Sequence, residues 1–193
     1  MKKNRENTSM SFLSGQCLVA MPGMLDDRFE RSVVYVCAHT KEGAMGLMIN
    51  RPIRDLTFSS LLAQLNIEPS NQLTAPPILA GGPVDIIRGF VLHSPEYASN
   101  ATLAITEQAS LTVTTDIIRD ISKGSGPQNF LIALGYVGWG GGQLEQEIKE
   151  NAWLPVETSA DLLFLLSPEK KWECGLKKIG IDPILLSPEQ GKA

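Results

Sequence analysis

Apolar residues recur along this chain in two spacings, and each spacing assigns a class of element. Short runs rich in Val, Ile, Thr and aromatic residues mark strands, and clusters at i, i+3, i+4 mark helices. Residues 16–21 (QCLVAM) predict a strand ended by the turn pair Pro22-Gly23. Met24–Glu30 follows as a polar connection or a single helical turn. Residues 32–39 and 44–50 predict two strands joined through Thr40-Lys41-Glu42-Gly43, and Pro52 stops the second. Further strands are predicted at 78–80, 88–93, 101–106, 111–114 and 129–137, with a short extended piece at 152–156. Helical spacing predicts helices at 57–65, 116–123 and 143–151. Ser167-Pro168-Glu169 opens another that runs to about residue 179. The apolar run 161–166 fits either element. Early hairpins mixed irregularly with helices predict an α+β fold.

The segment Arg31–Pro52 is the best specified. A four-residue loop over 40–43 pairs His39 with Ala44, Cys37 with Gly46, Tyr35 with Met48 and Val33 with Asn50. Opposed residues share a face. One face then carries Val33, Tyr35, Cys37, His39 and Asn50, and the other carries Val34, Val36, Ala38, Leu47 and Ile49. Both faces are mostly apolar, so the hairpin is expected to be central and covered on both sides.

Composition narrows the function classes. The chain has 193 residues, 43% hydrophobic and 20% charged, which suits one domain with a full core. Net charge is −4, and 17 basic residues face 21 acidic ones, so a groove-binding nucleic-acid protein is disfavoured. The densest basic pairs, Lys170-Lys171 and Lys177-Lys178, read as the wet side of one helix. Three cysteines without a scaffold spacing read as free thiols in a reducing cytosol. The apolar run after Lys2, Lys3 and Arg5 is too short for a signal peptide, and no run is long enough to span a bilayer. The chain therefore reads as cytoplasmic, with residues 1–10 a loose arm and residues 11–193 one domain.

Several constellations bear chemistry. Cys37 and His39, two apart on a strand, would be neighbours. A thiol beside an imidazole fits an activated nucleophile or redox thiol. The pair would equally be half of a metal site that His93 and Cys17 or Cys174 complete, but without a C-x-x-C no metal set is assigned. The plainer reading is a buried, inert cysteine. Gly138–Gly142 follows a strand and opens a helix, the layout of an anion loop. It lacks a phosphate-binding lysine, and Glu145 and Glu147 in the helix would repel an anion. Trp139 there suits a neutral or protein ligand, or simply packs. Gly81-Gly82-Pro83-Val84 with Arg88 would cradle a carboxylate, or form a turn beside a surface arginine. His93-Ser94 lacks a nucleophile elbow. Arg31, Asn50 and Arg51 at the hairpin's open end would either pair with the acids of 26–30 or line a cleft.

Taken together, RSVVYVCAHTKEGAMGLMINRP, GGPV, RGFVLH, GYVGWGGGQLEQEI, NAWL and GIDP resemble the bacterial YqgE/AlgH family, grouped under the label UPF0301, across residues 11–193. The resemblance implies a compact α+β domain with a bent, mostly antiparallel, partly barrel-like sheet flanked by helices. It implies no established catalytic activity. It also brings the label "transcriptional regulator", through one branch linked to alginate production. The matching polar positions are Arg31, His39, Asn50, Arg51, Arg88, His93, Gln143 and Glu147. The tail reads Gly191-Lys192-Ala193 where the family often has Gly-His-Ala, so no tail histidine is available.

The expectation is a cytoplasmic, non-enzymatic regulatory or binding protein without a cofactor. It would meet a protein or small-molecule partner, rather than a membrane, through a cleft or patch formed by the hairpin's open end and the Trp139 loop, with Arg31, Asn50, Arg51, Arg88, His93, Trp139, Gln143 and Glu147 as candidate contacts. The rival expectation is a thiol-based redox sensor or small enzyme using Cys37 and His39. Transcriptional regulation through direct DNA contact is disfavoured by the acidic chain.

Overall fold

The computed structural model describes residues 12–68 and 75–182. The expected N-terminal arm lies outside the described residues. Among the described residues nine strands and four α-helices follow the predicted order: β1 (Cys17–Ala20), β2 (Val33–Thr40), β3 (Gly43–Met48), α1 (Phe58–Gln64), β4 (Ile78–Ala80), β5 (Val84–His93), β6 (Thr102–Ala104), β7 (Ser110–Thr112), α2 (Thr115–Ser122), β8 (Phe130–Gly140), α3 (Gln143–Lys149), β9 (Trp153–Val156) and α4 (Pro168–Lys178). A 3-10 turn, Asp27–Phe29, fills the β1–β2 connection, and the ambiguous 161–166 run is a π-helical turn, Asp161–Leu165. No helix among the described residues is long and apolar enough to cross a membrane.

The strands form one curled sheet in the order β6-β7-β5-β8-β3-β2-β1-β9, antiparallel except where β4 joins β8 in parallel. β8 links the two halves, pairing with β5 through its first part and with β3 through its last. Gly135 interrupts it with φ +73° opposite a bulge in β5, which lets so long a strand bend. Alternate residues then divide cleanly. Ala133 of β8, Phe90 and Leu92 of β5, and Tyr35 and Leu47 of the hairpin pack inside the curl, with Trp172 and Leu176 of α4. On the outer face α3 covers Val34, Val36 and Val137, and α1 and α2 cover Ile78, Val91 and Ile132. The hairpin is central and buried on both sides, as its apolar pattern requires.

Its register differs from the expected one. Thr40 pairs with Gly43, so the turn has two residues, Lys41 and Glu42. His39 does oppose Ala44, but the pairing shifts between Val36 and Ala38, and Val36 rather than Cys37 lies opposite Gly46. Cys37 is the extra residue of a β-bulge. Residues before it keep one alternation and residues after it take the other.

Local chemistry explains the helices. Thr57 and Ser60 form a capping box on α1, and Ile117, Ile118 and Ile121 give α2 its buried face. α4 departs from expectation. Lys171 is not on the wet side but fully buried, its Nζ donating to the carbonyls of Leu162 and Leu163 at the π-helical turn. A buried ammonium must find acceptors, and the irregular turn supplies two. Burial still pulls its pKa down to about 8.

Candidate functional site

The bulge decides the fate of the thiol–imidazole pair. Cys37 points into the inner core with Val33 and Tyr35, whereas His39 shares the outer face with Ala44 and meets α3. The expected neighbourhood of these two residues does not form. Burial raises the Cys37 thiol well above its ordinary pKa, with the nearby Cys17 adding to the rise, and its Sγ lies 3.7 Å from the Tyr35 carbonyl. Such a thiol is a poor nucleophile. Cys17 is likewise pushed up to about 11 by burial. His39 is held at both ring nitrogens. Leu13 N–H donates to Nδ1 at 3.0 Å, so the ring proton sits on Nε2, 3.1 Å from Glu145 Oε1. Phe12 closes over the ring edge-on at 5.5 Å.

The glycine run does not form an anion loop. Gly138, Trp139 and Gly140 remain in β8 and pair with Met45, Ala44 and Gly43. Gly43, with φ +151°, allows the backbones to close up, since a Cβ there would stand 2.3 Å from the Trp139 carbonyl oxygen. Trp139 thus lies beside the hairpin's turn, six strand residues or roughly 20 Å from its open end. Among the described residues the two therefore do not join in the one cleft or patch expected of them.

Trp139 instead belongs to a network centred on Glu147. Trp139 Nε1–H and Trp153 Nε1–H both donate to Glu147 Oε2, at 2.9 and 2.8 Å. Gln143 Nε2–H donates to Oε1 at 2.8 Å, while its own Oε1 accepts from Gly140 N–H at 2.9 Å. Trp139, Gln143 and Glu147 are therefore brought together as expected. Trp153 is the residue that strand and helix patterns left out of the group. Its ring meets Trp139 edge-to-face at 6.0 Å and Phe29 at 5.6 Å. The signal for it was an aromatic in a short extended piece, six residues after Glu147.

Glu147 and Trp153 of this network line one wall of a cleft of about 470 Å³ between segment 21–29 and segment 147–153, and Trp139 and Gln143 stand behind it. Phe29 and Trp153 supply its aromatic floor. After Pro22-Gly23, fully exposed Leu25 forms its lip, while half-buried Met24 packs back against the cluster of Trp139 and Trp153. Asp26, Glu147 and Glu150 make the rim acidic. Arg28 grips Asp26 at 2.6 Å and holds its carboxyl below the usual range.

The other candidates lie elsewhere. Asn50 and Arg51 stabilise the hairpin's open end: Asn50 Oδ1 accepts from Val33 N–H at 2.8 Å, its Nδ2–H donates to the Arg31 carbonyl at 2.9 Å, and Arg51 donates to the Glu30 carbonyl at 2.7 Å. Arg31, in a left-handed conformation, stacks over Trp172 at 5.2 Å. With Glu169 and Glu173 of α4 these groups line a separate hollow of about 380 Å³, whose charges are mixed. His93 is fully buried between the Ser94 carbonyl, at 2.8 Å, and Thr112 Oγ1, at 2.9 Å, and burial lowers its pKa. It joins neither site. Gly81 and Gly82 are not a carboxylate cradle, because they press on the β8 backbone, where a Cβ on Gly82 would lie 2.1 Å from Tyr136. Arg88 stacks over Phe90 at 5.5 Å.

Comparison with known proteins agrees with this architecture. The DUF179 family, described as AlgH-like, matches residues 17–184. A UPF0301 protein of Bradyrhizobium sp. is 52% identical over 190 residues, covering 94% of this chain and 88% of its own length. One from Rhodospirillum rubrum is 46% identical over 182 residues, covering 94% and 95%. The solution structure of the AlgH protein from Pseudomonas aeruginosa superposes with TM-score 0.77 at 37% identity over the whole of both chains. A crystal structure of a Corynebacterium diphtheriae protein shares the fold at 16% identity and TM-score 0.69, covering 100% of this chain and 95% of that one. Matched across nearly its whole length and at such identity, the chain belongs to the AlgH-like UPF0301 family.

Proposed function

We propose that this chain is a cytoplasmic binding protein that performs no chemistry of its own and regulates by docking a protein segment in the cleft between residues 21–29 and 147–153. The observation that carries the reading is the construction of that cleft. Its wall is pinned by a carboxylate shared between two buried indoles, while its lip presents an exposed Leu25 beside half-buried Met24. An aromatic floor with an exposed apolar lip suits recognition of an apolar side chain. The acidic rim favours a segment with a basic flank. The separation of Cys37 from His39 removes support from the thiol-enzyme reading, and free thiols suit a reducing compartment.

The test is a photo-crosslinking residue at position 25 in living cells, against the same probe at exposed Glu68. A discrete protein adduct at position 25, absent at 68 and abolished by Met24→Asp, supports the reading. Equal labelling at both positions refutes it. Binding to duplex DNA that falls steeply with salt would favour regulation by direct contact with DNA instead.

A further inference from the structure

Exposed apolar side chains gather at one further place among the described residues. Val84, Ile86 and Ile87 are 39%, 65% and 87% exposed, all in the first half of β5. Ile87 also lines a narrow groove of about 170 Å³ with Leu61, Leu65, Phe90, Val113 and Ile118. Isolated exposed isoleucines are ordinary, but a contiguous group on a projecting segment marks an interaction surface.

The backbone makes the segment project. β5 pairs with β8 at Val84–Tyr136 and again at Gly89–Leu134, so residues 85–88 stand opposite the single residue Gly135. β7 covers β5 only from Val91 onward. Among the described residues no strand flanks 85–88 on the side away from β8. Asp85 holds φ +47°, a left-handed conformation that costs a non-glycine residue energy and persists where the surroundings impose it.

The order of side chains then selects the occupant. The bulge reads Asp85-Ile86-Ile87-Arg88, with charges of opposite sign flanking two isoleucines symmetrically. Neither Asp85 nor Arg88 has an ion-pair partner among the described residues. A two-fold axis through the Ile86–Ile87 midpoint brings Ile86 of one copy onto Ile87 of the other and Asp85 onto Arg88. It does so twice, as an isologous contact demands. The stacking of Arg88 on Phe90 holds that guanidinium near the bulge.

We propose that the 85–88 bulge is a self-association surface through which two copies of this chain meet about a two-fold axis. The contact is small, so the dimer forms reversibly at micromolar or higher concentration.

Sedimentation equilibrium from about 1 to about 500 µM tests this. The wild type is expected to show a concentration-dependent monomer–dimer equilibrium. Ile87→Asp is expected to be monomeric throughout, with an unchanged melting curve because the side chain is exposed. Asp85→Arg and Arg88→Asp each set like charges opposite one another twice and are expected to raise Kd about ten-fold or more. The double variant D85R/R88D, and an equimolar mixture of the two single variants, restore opposite charges and are expected to recover dimerisation. A wild type monomeric at the highest concentration overturns the proposal. Dimers insensitive to the single reversals, or a double variant no better than the singles, overturn it equally.

Discussion

Replacing Glu147 by alanine tests the network that shapes the cleft. The carboxylate accepts three hydrogen bonds, two of them from the indoles of Trp139 and Trp153, which are 6% and 1% exposed. Without it both N–H groups remain buried and unpaired, each costing about 1–3 kcal/mol. Gln143 sits at the surface and finds water. The expected loss is therefore about 2–6 kcal/mol. With a urea m-value of about 2 kcal/mol/M, the unfolding midpoint should fall by roughly 1–3 M at unchanged m. Glu147→Gln keeps the volume and one acceptor, but its amide N–H₂ then faces the donor of Gln143, so it should lose about 1–2 kcal/mol. A double-mutant cycle of Glu147→Ala with Trp153→Phe isolates the Trp153 bond, and a coupling of about 0.5–1.5 kcal/mol is expected. Tryptophan fluorescence reports the transition. A Glu147→Ala variant within about 0.5 kcal/mol of wild type, or a coupling near zero, would refute the reasoning.

Three further outcomes follow from buried groups. Lys171 has a folded pKa of about 8, below its unfolded value, so the unfolded chain binds the extra proton between about pH 8 and 10.5. Through that window the stability of wild type relative to Lys171→Met should rise with pH, by about 1–3 kcal/mol in all, as the cost of burying a charge disappears. Cys17, Cys37 and Tyr35 are shifted upward and act in the opposite direction, so only the difference between the two proteins in chemical denaturation is diagnostic, and a flat difference would contradict the buried ammonium. In native protein a thiol reagent should label half-buried Cys174 first, leaving Cys17 and Cys37 until unfolding, and rapid labelling of Cys37 would reverse its assignment to the core. Gly46→Ala would place a Cβ 2.6 Å from Val34 Cγ1 and 2.9 Å from the Tyr35 carbonyl oxygen, so a loss of about 1–3 kcal/mol is expected in denaturant titration.

Most elements were legible because their punctuation was strong. Pro22-Gly23, Thr57, Gly124–Pro127 and Ser167-Pro168 mark ends that the structure keeps. What escaped depended on partners far away in the chain. The Cys37 bulge was invisible because both hairpin faces are apolar, so a one-residue shift leaves the hydrophobic pattern almost unchanged. Gly138–Gly142 read as a loop by composition, yet close packing of β3 against Trp139 keeps its first half in the sheet. Lys171 looked like one more helical charge beside Lys170, and only the carbonyls of the π-helical turn explain its burial. At the site, Gln143 and Glu147 could be grouped because they are four apart on one helix. Trp153 and Phe29 join them through the return of β9 beside β1, which no local spacing encodes.

The sequestered amine of Lys171 also gives this protein an intrinsic timer. Acylating reagents reach surface lysines at once, but they reach this one only after α4 lifts from the π-helical turn. Isotope-coded labelling followed by mass spectrometry would therefore read the opening rate of the C-terminal helix from one peptide, with no engineered probe.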